Sequence, residues 1–150
     1  MSHRRKYRAS SAAAAGVVAA LLVVAGWHAS RSPATPAPAT PITASERDFA
    51  ISLPHVVNAG PVDIQVSNHG PDQHELIGVR ASSAASLPLR GDGLTVDEEA
   101  LARREVGSLE PGKPGAVRDL RVVLRPGRYV FFCNMAGHFM AGMHAVVVVR

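Results

Sequence analysis

Tyr129-Val-Phe-Phe-Cys133-Asn-Met-Ala-Gly-His138-Phe-Met-Ala-Gly-Met143 is the stretch that decides the reading of this chain. Successive side chains of a strand point to opposite faces, so Tyr129, Phe131 and Cys133 share one face. With the two rings turned into a core, Cys133 ends the strand pointing inward. It is the one cysteine of the 150 residues, followed by a histidine five positions on and a methionine five beyond that. The chain leaves a strand at Cys133 and re-enters one at Met143. A loop pinned at both ends holds its side chains rigidly.

A thiolate, an imidazole and a thioether on one short loop are a donor set suited to copper, and a blue-copper site uses two His, one Cys and a weak axial Met. One histidine is missing from the loop. His74 is the candidate, because it follows the turn Asn68-His69-Gly70-Pro71-Asp72-Gln73 and opens an apolar strand. His69 sits inside that turn, where a side chain is solvated. His55 and His144 are weaker candidates, and His144 neighbours Met143 and so faces the other way on a strand. Met135 and Met140 compete with Met143 for the axial place. Met140 lies only two residues past His138, which leaves little room to curl around one ion. A lone buried cysteine is usually inert, and the His and Met beside this one are what point elsewhere. A single cysteine also forms no intramolecular disulfide.

Outward from the loop, the remainder reads as short strands punctuated by Gly and Pro, the pattern of a sandwich or barrel. Phe49, Ile51 and Leu53 alternate with polar or small residues, as do Val62, Ile64 and Val66, and Leu120, Val122 and Leu124. His74 to Arg80 and Val146 to Val149 complete the set. Residues 82–115 are too long for a bare connection. Thr95-Val96-Asp97-Glu98 resembles a capping box, which predicts about two helical turns over 97–104 with Glu98, Glu99, Arg103 and Arg104 on a solvated face. The fold class expected is all-β, a sandwich or barrel, and a short helix in a long crossover is compatible with a Greek-key β-sandwich.

The N-terminal region is of another kind. Five of the sixteen Lys and Arg lie in residues 1–31, so eleven cations face twelve acids over the remainder. The basic balance belongs to the tail and leaves no basic stripe for nucleic acid. Residues 12–27 carry no charge and follow Arg4, Arg5, Lys6 and Arg8. This is an export signal or a membrane anchor. Residues 9–27 are long enough to span a bilayer, and the cleavage-site candidates near His28 are poor. An uncleaved hydrophobic helix with the rest of the chain outside the cytoplasm is favoured, with secretion as the outcome if it is cut. Residues 32–45 contain Pro33, Pro36, Pro38 and Pro41 and read as a semi-rigid linker. The domains expected are therefore 1–31 as anchor, 32–45 as linker and 46–150 as the folded part.

Residues 62–80 and 117–149 resemble the cupredoxins, the small blue-copper proteins. Asn68-x-Gly70-x3-His74 is similar to their first-histidine turn, and Tyr129 to Met143 to their second ligand loop, with spacing like that of rusticyanin and sulfocyanin. The resemblance implies one type 1 copper held by His74, Cys133, His138 and Met143, cycling between Cu(I) and Cu(II), and an electron-transfer role. Two positions depart from the pattern. Ala136 stands where members often have Pro. Glu75 stands where many have Asn or Ser, which puts in doubt the usual hydrogen bond between the two ligand loops.

Three functions compete on these residues. An electron carrier fits best, expected as a monomer with redox proteins as partners. A copper chaperone or buffer is the alternative, but such proteins favour exposed, exchangeable sites. An enzyme of the oxidase kind needs a second copper with its own histidines, and His55, His69 and His144 do not obviously cluster. Met135, Phe139 and Met140, with Ala136 and Ala141, surround His138 in an uncharged segment. They are expected to form an exposed apolar patch facing the partner.

Overall fold

The computed structural model describes residues 37–150. The expected hydrophobic helix of residues 9–27 lies outside them. Among the described residues no helix is long and apolar enough to cross a membrane. The strands are β1 (Thr40–Arg47), β2 (Ala50–Ser52), β3 (Val56–Val57), β4 (Gly60–Asn68) and β5 (His74–Arg80), then β6 (Glu105–Gly112), β7 (Val117–Leu124), β8 (Gly127–Phe132) and β9 (His144–Val149). One sheet runs β2-β1-β4-β7 and the other β3-β9-β8-β5-β6.

The alternation read from the sequence builds the space between the sheets. Val62, Ile64 and Val66 of β4, Leu120, Val122 and Leu124 of β7, and Tyr129 and Phe131 of β8 form one buried cluster with Cys133 and Met143. Burying such side chains is the main stabilising term, about 25 cal/mol per Å² of apolar surface. The Tyr129 hydroxyl donates to the Arg125 carbonyl at 2.9 Å and accepts the Arg125 N–H at 3.1 Å, which ties the turn before β8 to the core. Gly78 of β5 stands opposite Phe131. A Cβ there would lie 2.5 Å from the Phe131 ring, so the glycine makes room for the aromatic residue that aligns Cys133.

The other face of β8 is buried as well. Ile77, Val79, Val130 and Phe132 pack with Leu87, Val96 and Leu101 of the long crossover in a second cluster. The crossover is therefore a cover over the five-stranded sheet. It contains a single 3-10 turn at Ala84–Ser86 and the short helix α1 (Glu98–Leu101). The N-cap of α1 is Asp97, whose carboxylate accepts the Ala100 N–H at 3.1 Å. The helix is thus shorter than the two turns expected from a cap at Thr95.

Four readings of the sequence are corrected here. Residues 40–45 belong to β1 and not to a linker, because Thr40 to Glu46 pair in parallel with Val62 to Asn68 of β4. Pro41 is tolerated because β2 pairs with β1 only from Ser45 onward, leaving that end an edge, where proline costs no ladder bond. Phe49 is not a core residue of a strand. It sits in the β1–β2 turn with φ 63° and is half exposed. The strand β6 was hidden in the crossover, since Glu-Val-Gly-Ser-Leu-Glu-Pro-Gly lacks a β-branched run and its Pro111 is acceptable only at an edge. Finally, Phe139 is 8% exposed and stacks edge-on against Phe132 at 5.5 Å, within the second cluster. It is packing, and not part of an exposed patch, because the covered face of β8 offers it an apolar seat.

Beside the main core, Glu46 is fully buried and meets the Arg118 guanidinium at 2.5 Å. Burial pushes the Glu46 carboxyl up more than Arg118 pulls it down. Two outcomes follow from this packing. Phe139→Ala should cost about 3–5 kcal/mol by leaving a cavity, read from urea denaturation. Arg118→Met should cost about 3–5 kcal/mol near neutral pH by stranding a buried carboxylate. That penalty should shrink in acid, where Glu46 takes up a proton, and in a Glu46→Gln background.

Candidate metal centre

The four candidate ligands come from two places. His74 is the first residue of β5, and the other three lie on the β8–β9 loop. That loop is closed by its own backbone. The Cys133 N–H donates to the Met143 carbonyl at 3.1 Å, and the Met143 N–H to the His138 carbonyl at 3.0 Å. Between them His138 N–H reaches Met135 O at 2.9 Å, Ala141 N–H reaches Gly137 O at 3.0 Å and Gly142 N–H reaches Phe139 O at 3.0 Å. The loop is wound into tight turns that hold Cys133, His138 and Met143 on one short path.

The ligand atoms of His74, Cys133 and His138 lie within 4.8 Å of one another. His138 Nδ1 is 3.6 Å from Cys133 Sγ, and the two imidazole centroids are 5.2 Å apart. Among the described residues no other group of three such side chains converges in this way. Met143 is fully buried and packs in the main core with Cys133. Met140 is exposed, and Met135 is partly buried against that core. His69 points to solvent, as expected, while its N–H holds the Glu46 carbonyl at 2.8 Å.

Two features of these residues ask for a cation. His74 is wholly buried, yet its Nδ1 has no hydrogen-bond partner, while its Nε2 lies 3.0 Å from the Asp48 carboxylate. An unpaired buried polar nitrogen is costly, and a bound metal is the partner that a ring nitrogen facing a thiol and a second imidazole lacks. Burial lowers the His74 pKa, which keeps the ring neutral and its lone pair free. Cys133 shows the reverse pressure. Burial pushes its thiol up to about 11, with the Glu75 and Glu46 carboxylates adding to the shift. A metal ion would reverse that, because a coordinating thiol is deprotonated outright. The donor set and its burial fit the expected group.

The surroundings hold functional residues that the sequence reading missed. The Glu75 carboxylate accepts the Asn134 N–H at 3.0 Å. It thus joins the two ligand loops and makes the bond that its residue type had put in doubt. Asn134 is an anchor in its own right. Its Oδ1 accepts Val96 N–H at 2.6 Å, and its Nδ2 donates to Val96 O at 3.0 Å and to the Glu98 carboxylate at 2.6 Å. Gly137 N–H adds a bond to Leu94 O at 3.2 Å. The crossover therefore clamps the residue after Cys133, and Glu98 is not merely on a solvated face. On the outer side, Phe49 lies edge-on to His138 at 5.5 Å. No spacing pattern announces Asp48 and Phe49, because they act from a turn twenty-six residues before His74. Asn134, directly after the cysteine, could have been suspected as a polar residue at a buried strand end.

Neither a family model nor a curated protein matches the chain by sequence. Solved structures do match it. Auracyanin from the photosynthetic bacterium Roseiflexus castenholzii superposes with a TM-score of 0.58 at 19% identity, over 75% of this chain and 98% of the auracyanin. Auracyanin A of Chloroflexus aurantiacus, a "blue" copper protein, gives 0.50 at 18%, over 73% of this chain and 99% of that one. Rusticyanin of Thiobacillus ferrooxidans gives 0.52 at 13%, over 73% and 76%. Identities this low carry the fold, and the two-sheet fold described here is that of the cupredoxins.

Proposed function

We propose that this chain is an electron carrier that binds one copper ion through His74, Cys133, His138 and Met143. The observation that carries the reading is the convergence of an unpartnered buried imidazole nitrogen, a buried thiol and a second imidazole. The bound ion would supply a one-electron couple between Cu(I) and Cu(II). The chain's part is to present one thiolate and two imidazole nitrogens from a frame that changes little between the two states. Met143 would be the weak fourth donor, since it is fully buried while Met140 faces solvent. A buried site closed by backbone bonds suits a resident ion better than one passed from protein to protein, which disfavours the chaperone reading. The connections between the sheets we read as those of a Greek-key sandwich.

Electron exchange is assigned to the His138 side. Exposed Phe49 lies edge-on to that ring, Met140 two residues on is exposed as well, and a cleft lined by Pro71, Asp72, Gln73, Pro111, Pro114, Met135 and His138 adjoins it. This patch keeps Met135 and Met140 from the sequence reading and exchanges Phe139 for Phe49. Small, weak interfaces are typical of redox encounters. The charge-free run 12–27 behind a basic head supports export with the folded part outside the cytoplasm, tethered by residues 9–27.

Two measurements test this reading. The full chain loaded with Cu(II) should be intensely blue, with one copper per chain, and Cys133→Ser should abolish the colour while the fold survives. A colourless Cu(II) complex of the intact protein would favour copper handling instead. Met143→Leu should keep the blue band and raise the reduction potential, because a donor to Cu(II) is lost. If Met140→Leu has that effect and Met143→Leu does not, the axial assignment is wrong.

A further inference from the structure

We infer that Asp48, in the β1–β2 turn, is a positioning residue for the metal. Its carboxylate fixes the tautomer of His74, aims the ring's Nδ1 lone pair at the ligand cluster and biases the bound ion toward its oxidised state. The second half of this statement rests on the copper reading above; the first half does not.

The geometry is specific. Asp48 Oδ1 lies 3.0 Å from His74 Nε2, on the side of the ring away from the unpartnered Nδ1. A carboxylate accepts only, so Nε2 must carry the proton. The neutral ring then has its lone pair on Nδ1, the nitrogen left without a protein partner. Metal-bound histidines commonly donate their other N–H to such a group, which raises ligand basicity. The partner here bears a formal charge. A negative charge one ring away from the ion stabilises a divalent cation more than a monovalent one.

The pair also has space reserved for it. Gly70 is buried between the two residues, and a Cβ on it would lie 2.4 Å from Asp48 Oδ1 and 2.7 Å from His74 Nε2. Carbon atoms do not approach that closely, so the glycine of the Asn68-x-Gly70 turn is required by the carboxylate–imidazole contact itself. Two bonds hold the facing loops in place for it: Gly70 N–H to Asn68 Oδ1 at 2.9 Å, and His69 N–H to Glu46 O at 2.8 Å. The next residue of the same turn, Phe49, adopts φ 63° with its ring against His138. One short turn thus touches both imidazoles. A turn serving only to join β1 to β2 would need neither the buried contact nor the glycine opposite it.

The test uses the full chain in detergent. In the metal-free protein, long-range ¹H–¹⁵N spectra should show His74 as the Nε2–H tautomer, and Asp48→Ala should lose that preference. A wild-type ring protonated on Nδ1 overturns the positioning role. Asp48→Asn keeps an acceptor and removes only the charge. Loaded with copper, D48N should keep its colour and melting temperature while Cu(II) affinity falls about tenfold relative to Cu(I), the low end of the range for such contacts. For one electron that is a rise of about 59 mV in potential. Gly70→Ala, which wedges the pair apart, should move the potential the same way and reports independently if D48N does not fold. An unchanged potential in a folded, blue variant overturns the redox role. A wild-type chain that takes up no copper overturns that role together with the reading it rests on, and the tautomer then decides the positioning role alone.

Discussion

A buried imidazole nitrogen with nothing to bond is the constraint around which this fold is arranged. His74 has no exposed surface, and its Nδ1 finds no partner among the protein's own groups. Leaving a buried polar atom unsatisfied costs about 1–3 kcal/mol. Relaxation would be simple if the ring could rotate or the loops could shift. Neither is open to it. Asp48 holds the far nitrogen, Gly70 closes the space beside it, and the strand β5 begins at the ring. The cost is sustained by the two apolar clusters on either side of β8, which fix the strands that His74 and Cys133 terminate.

The same logic extends to the loop. Cys133, His138 and Met143 hang on backbone bonds within one eleven-residue path, and a free loop of that kind would breathe. The crossover prevents it. Asn134 makes a two-way pairing with the Val96 backbone and a further bond to Glu98, while its own N–H is taken by Glu75 next to His74. Phe139 then seats the middle of the loop on Phe132. The long crossover, which carries no ligand, is what makes the two ligand loops one rigid object.

How far the sequence could be read depended on whether a residue acts through periodicity or through a distant partner. The strands β4 and β7 were legible because their buried residues recur every second position, and β8 and β9 because they are runs of aromatic and β-branched residues. His74 and the Cys133–Met143 loop were legible because the donor types are rare and their spacing is short. β1 was obscured by Pro41, which reads as a linker unless one knows that it falls on an edge. β6 was obscured by Pro111 and two glycines for the same reason. Phe139 was misjudged because a loop residue was taken to face water, when the outer face of β8 had already been given an apolar cover. Glu75 put in doubt a link that it makes, since a longer carboxylate can reach the same N–H as a shorter amide. Asp48 left no trace at all, for its role exists only once the turn after β1 in one sheet meets the start of β5 in the other.

The charges near the site point one way. Asp48 touches His74, Glu75 touches Asn134, Glu98 lies beyond it, and Glu46 is buried behind. Arg118 answers Glu46, but no cation answers the others within the bonds just named. Burial is the main reason that the Cys133 thiol is pushed up, and the Glu75 and Glu46 charges add to it against the backbone N–H groups of Met135 and Glu75, which pull it down. A frame that keeps His74 neutral with its Nδ1 unpartnered, among carboxylates, leaves a cation as the group that would complete it. About His138 the rim holds exposed Phe49 and, in the cleft beside the ring, Met135 and three prolines together with Asp72 and Gln73. The inner carboxylates bias the ion's charge state, while Phe49, Met135 and the prolines supply the part of the rim that costs little to desolvate.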